Sequence, residues 1–334
     1  MTHHQRPLGS GFTAASTAEE VLRGIDLSGR DVVITGGHVG IGLEATRALS
    51  AAGASVTVGA RQPDRAASAL AGIERVEVDR LDLLDPASVD TFAARYLASG
   101  RPLHILINNA GIMGGPLARD ARGYEAQFAT NHLGHFQLTS ALLPALRTAH
   151  GARVVMVTSA GHRLSDIRWD DPHFTSGYDG MLAYGQSKTG NVLFAVELDR
   201  RWAPDGIRGY AVHPGIIVGT GLGPADRDSG AADEEPLRAM GLIDEAGRPI
   251  IAPERGQKTA QQGASTTVFA ATSPLLSGIG GVYLRDNDIS ALDEDPSPIV
   301  FGVEPILVTD VVPHAVDPKS AERLWELSER LLTA

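Results

Sequence analysis

Tyr184 and Lys188 stand four positions apart in the run MLAYGQSKTGNVLF, Met181 to Phe194. At helical pitch they share one side, a turn apart. The stretch AYGQSKTGNVLFAVELDRRW reads as a helix entering a core, with Tyr184 where that helix begins. A free phenol has a pKa of about 10 and is a poor base at neutral pH. A nearby ammonium favours the phenolate, so the phenol can both give and take a proton. A carbonyl that accepts hydride gains negative charge on oxygen and needs a proton from a positioned acid. The pair suits that task. The spacing also arises by chance, as a polar helix edge with a snorkelling lysine, so the surrounding elements decide.

The first of these elements is the turn TGGHVGIG, Thr35 to Gly42. It joins the apolar run DVVITGG to GLEATRALSAAG, which has helical spacing and stops at Gly53. Gly36, Gly40 and Gly42 permit a tight turn and let backbone N–H groups approach a pyrophosphate at a helix N-terminus. Their spacing departs from G-x-G-x-x-G, and a purely structural turn is the alternative. The second β-branched run, ASVTVGAR, ends at Arg61 with no acid behind it. An acid there would take the ribose hydroxyls, whereas an arginine receives a 2′-phosphate. NADP(H) is therefore favoured over NAD(H), against the alternative of a solvated surface arginine. Val39 offers no second cation at the turn.

Strand and helix patterns continue to alternate. ERVEVDRLDL, PLHILINNAG, ARVVMVTSAG and GIRGYAVHPGI read as strands three to six. QPDRAASALAG, DPASVDTFAARYLAS and the long GYEAQFATNHLGHFQLTSALLPALRTA read as helices, the last with a kink at Pro144. QKTAQQGASTTVFAATSP is helical, GGVYLRD strand-like and SAERLWELSERLL an amphipathic closing helix. This alternation predicts an α/β fold: a doubly wound parallel β-sheet of Rossmann type, flanked by helices. Residues 1–27 read as an N-terminal arm with a short helix at TAEEVLRGI, and 28–334 as one Rossmann-type domain. Within it, about 216–255 form a small substrate lobe rich in Gly, Pro and acids, and about 286–334 a C-terminal extension.

Composition sets further bounds. Apolar residues make up 43% of 334, enough for a sizeable core. The formal charge of −11 argues against nucleic acid as a partner. No cysteine is present, so thiolate zinc, disulfides and a catalytic thiol are excluded. His132, His135, His162, His173 and His213 lack any metal-ligand spacing, and no metal is expected. No apolar run reaches the length of a membrane span, and the polar start is no signal peptide, so a soluble cytoplasmic protein is expected.

These motifs together resemble the short-chain dehydrogenase/reductase family. The carriers are TGGHVGIG, NNAG (Asn108 to Gly111), Asn131 in ATNHLGHF, Ser159 in VVMVTSAGH, YGQSK and HPG (His213 to Gly215), in the family's order across about residues 28–285. TAEEVLRGIDLSGRDVVITGG and VDPKSAERLWELSERL resemble a retinol-dehydrogenase-like or WW-domain-oxidoreductase-like branch. The resemblance implies a catalytic set of Asn131, Ser159, Tyr184 and Lys188. Ser159 would bond the substrate oxygen and the Tyr184 hydroxyl. Asn131 would bend its helix and hold a relay water towards Lys188, which would also bind the nicotinamide ribose. Cofactor contacts are implied at Gly36, His38, Val39, Gly40 and Ile41 in the turn, and at Arg61. Asp82 and Leu83 would lie near the adenine, Asn109, Ala110 and Gly111 along the cofactor, and Pro214, Gly215 and Ile217 beside the nicotinamide. The family's threonine position holds Gly219 here, and Thr220 would substitute.

The implied activity is NADP(H)-dependent hydride transfer between nicotinamide and a carbonyl or alcohol, as a carbonyl reductase or alcohol dehydrogenase. Trp169, Phe174, Met181, Leu222, Met240 and Ile243 suggest an apolar or bulky substrate. The rivals are a catalytically silent dinucleotide-binding sensor or interaction protein, and a C=C reductase on the same scaffold. A homodimer or homotetramer built on helix pairs is the assembly the resemblance implies.

Overall fold

Strands that are apolar on both faces must be covered on both faces, and parallel pairing with helical crossovers does this. A computed structural model describes residues 5–223, 234–296 and 310–333 of the chain. Strands β1 (Asp31–Thr35), β2 (Ser55–Ala60), β3 (Val76–Arg80), β4 (Ile105–Asn108), β5 (Arg153–Val157), β6 (Arg208–His213) and β7 (Val282–Arg285) are parallel. The short β8 (Asp288–Ile289), unforeseen in the sequence, pairs antiparallel with β7. The sheet order is β3-β2-β1-β4-β5-β6-β7-β8. The chain thus starts mid-sheet, winds out to β3, and returns to β4. That reversal opens a crevice at the carboxyl ends of β1 and β4, where ligands bind in such sheets.

The helices are α1 (Ala18–Val21), α2 (Gly40–Ala51), α3 (Pro63–Ala69), α4 (Pro86–Ala98), α5 (Ala126–Phe128), α6 (Gly134–Ala141), α7 (Leu143–Thr148), α8 (Gly180–Trp202), α9 (Glu234–Ala239), α10 (Ala260–Thr272) and α11 (Pro318–Thr333). One apolar core joins α1, α2 and α10 to the sheet through Leu49, Val58, Val212 and Phe269. The other joins α4, α6, α7, α8 and α11 through Phe92, Phe136, Phe194 and Trp325. The expected doubly wound architecture is therefore present. Among the described residues, no helix is long and apolar enough to cross a membrane.

Two expected helices differ in detail. The long helix over 123–149 is divided into α5, a π-helical turn (Ala129–Leu133), α6 and α7. Pro144 falls in the first turn of α7, where its missing N–H costs nothing, so it restarts a helix rather than kinking one. α8 begins at Gly180, not at Tyr184, because the Asp179 carboxylate accepts the Met181 and Leu182 N–H groups at 2.8 and 2.9 Å. Tyr184 consequently sits in the second turn, held on both sides by regular helix.

Both chain ends are fastened to the domain. The Gln5 amide donates to the Tyr283 and Ser290 carbonyls, each at 2.7 Å, and accepts the Tyr283 N–H at 3.0 Å. The Asp288 carboxylate accepts three successive N–H groups from Leu8, Gly9 and Ser10. At the other end α11 seats Trp325 among Phe136, Phe194 and Trp202, with ring centroids 4.9, 5.7 and 5.5 Å away. Parts of the lobe (224–233) and of the extension (297–309) lie outside the described residues.

Candidate active site

The crevice floor is the turn after β1. Gly36 holds φ +67°, a conformation that favours glycine. A Cβ on Gly42 would stand 2.6 Å from Asn109 Nδ2, so the close approach of α2 to the β4 end requires its absence. α2 starts at Gly40 with the exposed Val39 as N-cap, no side-chain cap and no acid in its first turn. Its leading N–H groups are left to an anion. His38 lies close enough to Arg65 and Arg61 that burial, then those two charges, lower its pKa. Its Nδ1 is buried without a hydrogen-bond partner. Arg65 was not foreseen; it lies in the first turn of α3, just after Arg61 at the end of β2. The donors of the turn and this cation pair fit a phosphorylated dinucleotide.

Thr35 ties the floor together. Its Oγ1 accepts the Asn109 and Ala110 N–H groups, both at 2.9 Å. Its hydrogen therefore goes to His135 Nε2, 2.9 Å away, which leaves His135 Nδ1–H to donate to the Asn131 carbonyl at 3.0 Å. Neither Thr35 nor His135 was singled out as a site residue from sequence. Leu83 packs its main chain on Gly134 of α6, and the Asp82 carboxylate accepts the Leu84 N–H at 3.1 Å.

Asn131, Ser159, Tyr184 and Lys188 converge beside this floor. Ser159 follows β5 and caps the 3-10 turn Ala160–Leu164, and its hydroxyl lies near enough to the Tyr184 phenol to act on its pKa. A Cβ on Gly161 would stand 2.7 Å from Tyr184 Cε1, so the phenol lies flat on that turn. Lys188 Nζ sits 5.5 Å from the centre of the Tyr184 ring and donates to the Val157 carbonyl at 3.0 Å. Asn131 lies in the π-helical turn; its amide accepts the Ile112 N–H at 2.9 Å and donates to the Ile112 carbonyl and Ser187 Oγ, each at 2.9 Å. Ser187 Oγ passes its proton to the Tyr184 carbonyl at 2.8 Å. Both ends of the Asn131 amide are engaged by protein, and its main-chain carbonyl accepts the His135 Nδ1–H. A Cβ on Gly111 would stand 3.3 Å from Asn131 Oδ1, 3.5 Å from Lys188 Nζ and 3.6 Å from Leu222 Cδ1, which marks the corner where these groups meet.

The electrostatics depart from the expected tuning. Burial pushes the Tyr184 phenol up to about 12, with the Ser159 hydroxyl opposing. Burial also brings the Lys188 ammonium down to about 8. Shared burial thus holds both groups towards their neutral forms.

The segment after β6 folds back over the floor. Pro214 is buried, and a Cβ on Gly215 would stand 2.9 Å from Lys258 Cδ; Lys258 is itself buried and paired with Asp286 at 2.6 Å. Ile217 and Ile41 meet over Gly263, and Thr220 lies against Gly40. Leu222 accepts the Met113 N–H at 3.1 Å. Trp169, read as pocket lining, instead lies under the Arg323 guanidinium of α11 at 4.2 Å. Phe174 is fully buried against Arg168, 4.4 Å away.

A parallel sheet with an anion-ready first turn at its switch point is the arrangement of a dinucleotide-binding fold, and the buried Tyr184 phenol lies beside it. The family model described as short chain dehydrogenase matches residues 30–229, and the chain belongs to that family of oxidoreductases. It is 44% identical over 317 residues to a probable oxidoreductase of Streptomyces lividans, covering 93% of this chain and all of that one. It is 36% identical to the WW domain-containing oxidoreductase of Danio rerio, over 94% of this chain and 71% of that protein. Among solved structures it is similar to an uncharacterised protein of Mycobacterium paratuberculosis, at 32% identity and TM-score 0.67, over 97% of this chain and 98% of that one. It shares the fold of Pseudomonas aeruginosa RhlG, solved as an NADP active-site complex, at 24% identity and TM-score 0.58, over 79% and 97% of the two chains.

Proposed function

We propose that the chain transfers hydride between NADP(H) and a carbonyl or alcohol, with Tyr184 as general acid and base. The observation that carries this is the burial of Tyr184 and Lys188 together with Ser159 and Asn131 at the carboxyl edge of the sheet, beside the uncapped start of α2. A bound nicotinamide supplies or takes the hydride. In the reducing direction Tyr184 gives its proton to the developing alkoxide, and Ser159 Oγ steadies the same oxygen. Lys188 supplies positive charge that stabilises the phenolate left behind and restores its proton. Reversal of these steps oxidises an alcohol.

The preference for a 2′-phosphate rests on Arg61 and Arg65 flanking His38, with no acid at the end of β2. Leu222 beside Gly111 gives the substrate corner an apolar wall. We further propose that α11 withdraws the α8 face from pairing between copies, because Trp325 already fills it. The test is turnover across aromatic aldehydes, ketones and secondary alcohols with NADPH and NADH, or NADP and NAD for the alcohols. Turnover by wild type and its loss in Tyr184→Phe supports the mechanism. No turnover with any of them, despite tight dinucleotide binding, would mark the chain as a sensor. A preference for NADH in the wild type, or a preference for NADPH that survives Arg61→Ala with Arg65→Ala, would refute the phosphate reading.

A further inference from the structure

His162 stands three residues beyond Ser159 and is wholly buried. Its Nδ1 lies 2.8 Å from the Ser159 carbonyl, which can only accept, so Nδ1 carries the proton. Nε2 is then a lone pair, and the Val312 N–H points to it at 3.4 Å. The His162 carbonyl accepts from Thr189 Oγ1 on α8 at 2.9 Å and from His314 Nε2 at 3.1 Å. One face of the ring meets Tyr283 of β7, with centroids 5.0 Å apart. The neutral imidazole therefore joins the main chain of Ser159 to the segment of the C-terminal extension around Val312, and the carbonyl of the same residue meets the helix bearing Lys188.

The neighbouring contacts hold that segment in register. The buried Arg163 donates to the Asp310 carbonyl at 2.9 Å and pairs with Asp293 at 2.7 Å. Arg285 Nε donates to the Asp310 carboxylate at 2.8 Å. A second tie runs from α11, where Ser328 Oγ meets His132 Nε2 at 2.8 Å, one residue from Asn131. The extension thus reaches residues next to both Ser159 and Asn131 through hydrogen-bonded histidines. None of these side chains touches the corner marked by Gly111, so any effect on chemistry passes through position.

We propose that His162 is a positioning residue: it transmits the hold of the C-terminal extension, through Val312, to the main chain of Ser159 and so sets where the Ser159 hydroxyl stands beside Tyr184 at Gly161. This rests on the reading of Tyr184 and Ser159 as the proton-handling pair. The extension is then part of the active site's support.

The experiment compares wild type with His162→Ala, His162→Asn, Val312→Pro and the double change His162→Ala with Val312→Pro. Val312 has φ −92° and precedes Pro313, so proline removes its N–H with little change of backbone. The readouts are kcat and KM with the fastest carbonyl of the aldehyde and ketone panel, kcat per dinucleotide-binding site, NADPH affinity by fluorescence, and melting. His162→Ala should lower kcat about 10- to 100-fold, the order expected when a reacting group shifts by about an ångström, with NADPH affinity unchanged. His162→Asn, whose amide N–H reaches the Ser159 carbonyl, should restore most of that loss. Val312→Pro should lower kcat several-fold in wild type and change nothing further in His162→Ala, because the two act in series. Unchanged kcat in a folded His162→Ala, or an equal effect of Val312→Pro in both backgrounds, would overturn the proposal. Should His162→Ala fail to fold, a folded Val312→Pro with wild-type kcat overturns it equally. Retained turnover in Tyr184→Phe would instead overturn the underlying reading, whatever His162 does.

Discussion

Replacing Lys188 with methionine should abolish turnover and make the protein more stable at neutral pH. Burial moves the ammonium from 10.5 in the open chain to about 8 in the fold. A shift of that size corresponds to about 3 kcal/mol of preference for the neutral amine. The sign follows from proton binding. Between about pH 8 and 10.5 the unfolded chain binds a proton that the folded chain has lost, so stability rises with pH across that window. Below pH 8 the lysine is charged in both states and the full cost is present. Methionine has similar length and no charge, so it removes the cost. It also removes the bond from Nζ to the Val157 carbonyl, worth about 1 kcal/mol; that carbonyl keeps the Asn191 amide at 3.3 Å. The net expectation at pH 7 is a gain of about 1–2 kcal/mol, or roughly 1.5–3 °C in melting temperature, with kcat down by at least about 10²-fold. The assay is thermal melting of both proteins without dinucleotide at pH 7, 8, 9 and 10. The gap should narrow as pH rises, because the wild type sheds its charge. A variant that melts lower than wild type at pH 7, by a margin that pH does not alter, would refute the burial argument.

Three further outcomes follow from the same geometry. Gly161→Ala should lower kcat at least about 10-fold while leaving dinucleotide affinity intact, since its methyl would stand 2.7 Å from Tyr184 Cε1; steady-state kinetics with a binding titration checks this. For carbonyl reduction, kcat/KM of the free enzyme should fall above about pH 8 as Lys188 loses its proton, with Tyr184 still protonated up to about 12. No limb should arise near pH 6 from His162 or His213, because burial holds both at about 3. Trp325→Ala should cost about 3–5 kcal/mol, read in melting, and should expose the α8 face to association on size-exclusion chromatography.

Much of the fold was legible because its signals are local. Short continuous apolar runs and glycine punctuation marked the first seven strands, and the βαβ rhythm gave their parallel pairing. The residues that the candidate site brings together were legible where a short motif marks them: the turn at Gly36–Gly42, Ser159 after β5, and Tyr184 with Lys188. What stayed hidden depends on partners far along the chain. β8 has two residues and is formed by pairing with β7, so it has no periodicity of its own. His162 and His135 read as ordinary core histidines until Val312 and Thr35 are placed against them. Trp169 looked like pocket lining, but Arg323, over 150 positions away, claims its ring. The direction of the Tyr184 shift was misjudged because spacing reveals a neighbouring charge but not the depth at which both groups are buried.

The central claim is that Tyr184 protonates a carbonyl oxygen while hydride arrives at the adjoining carbon. The most direct measurement follows deuterium from 4-deuterated NADPH into the product of an α,β-unsaturated ketone, read by mass spectrometry and NMR, in wild type and Tyr184→Phe. The account predicts label at the carbinol carbon in wild type and product formation at least about 10²-fold slower in the variant. Label at the β-carbon, or equal carbinol labelling in Tyr184→Phe, would contradict it.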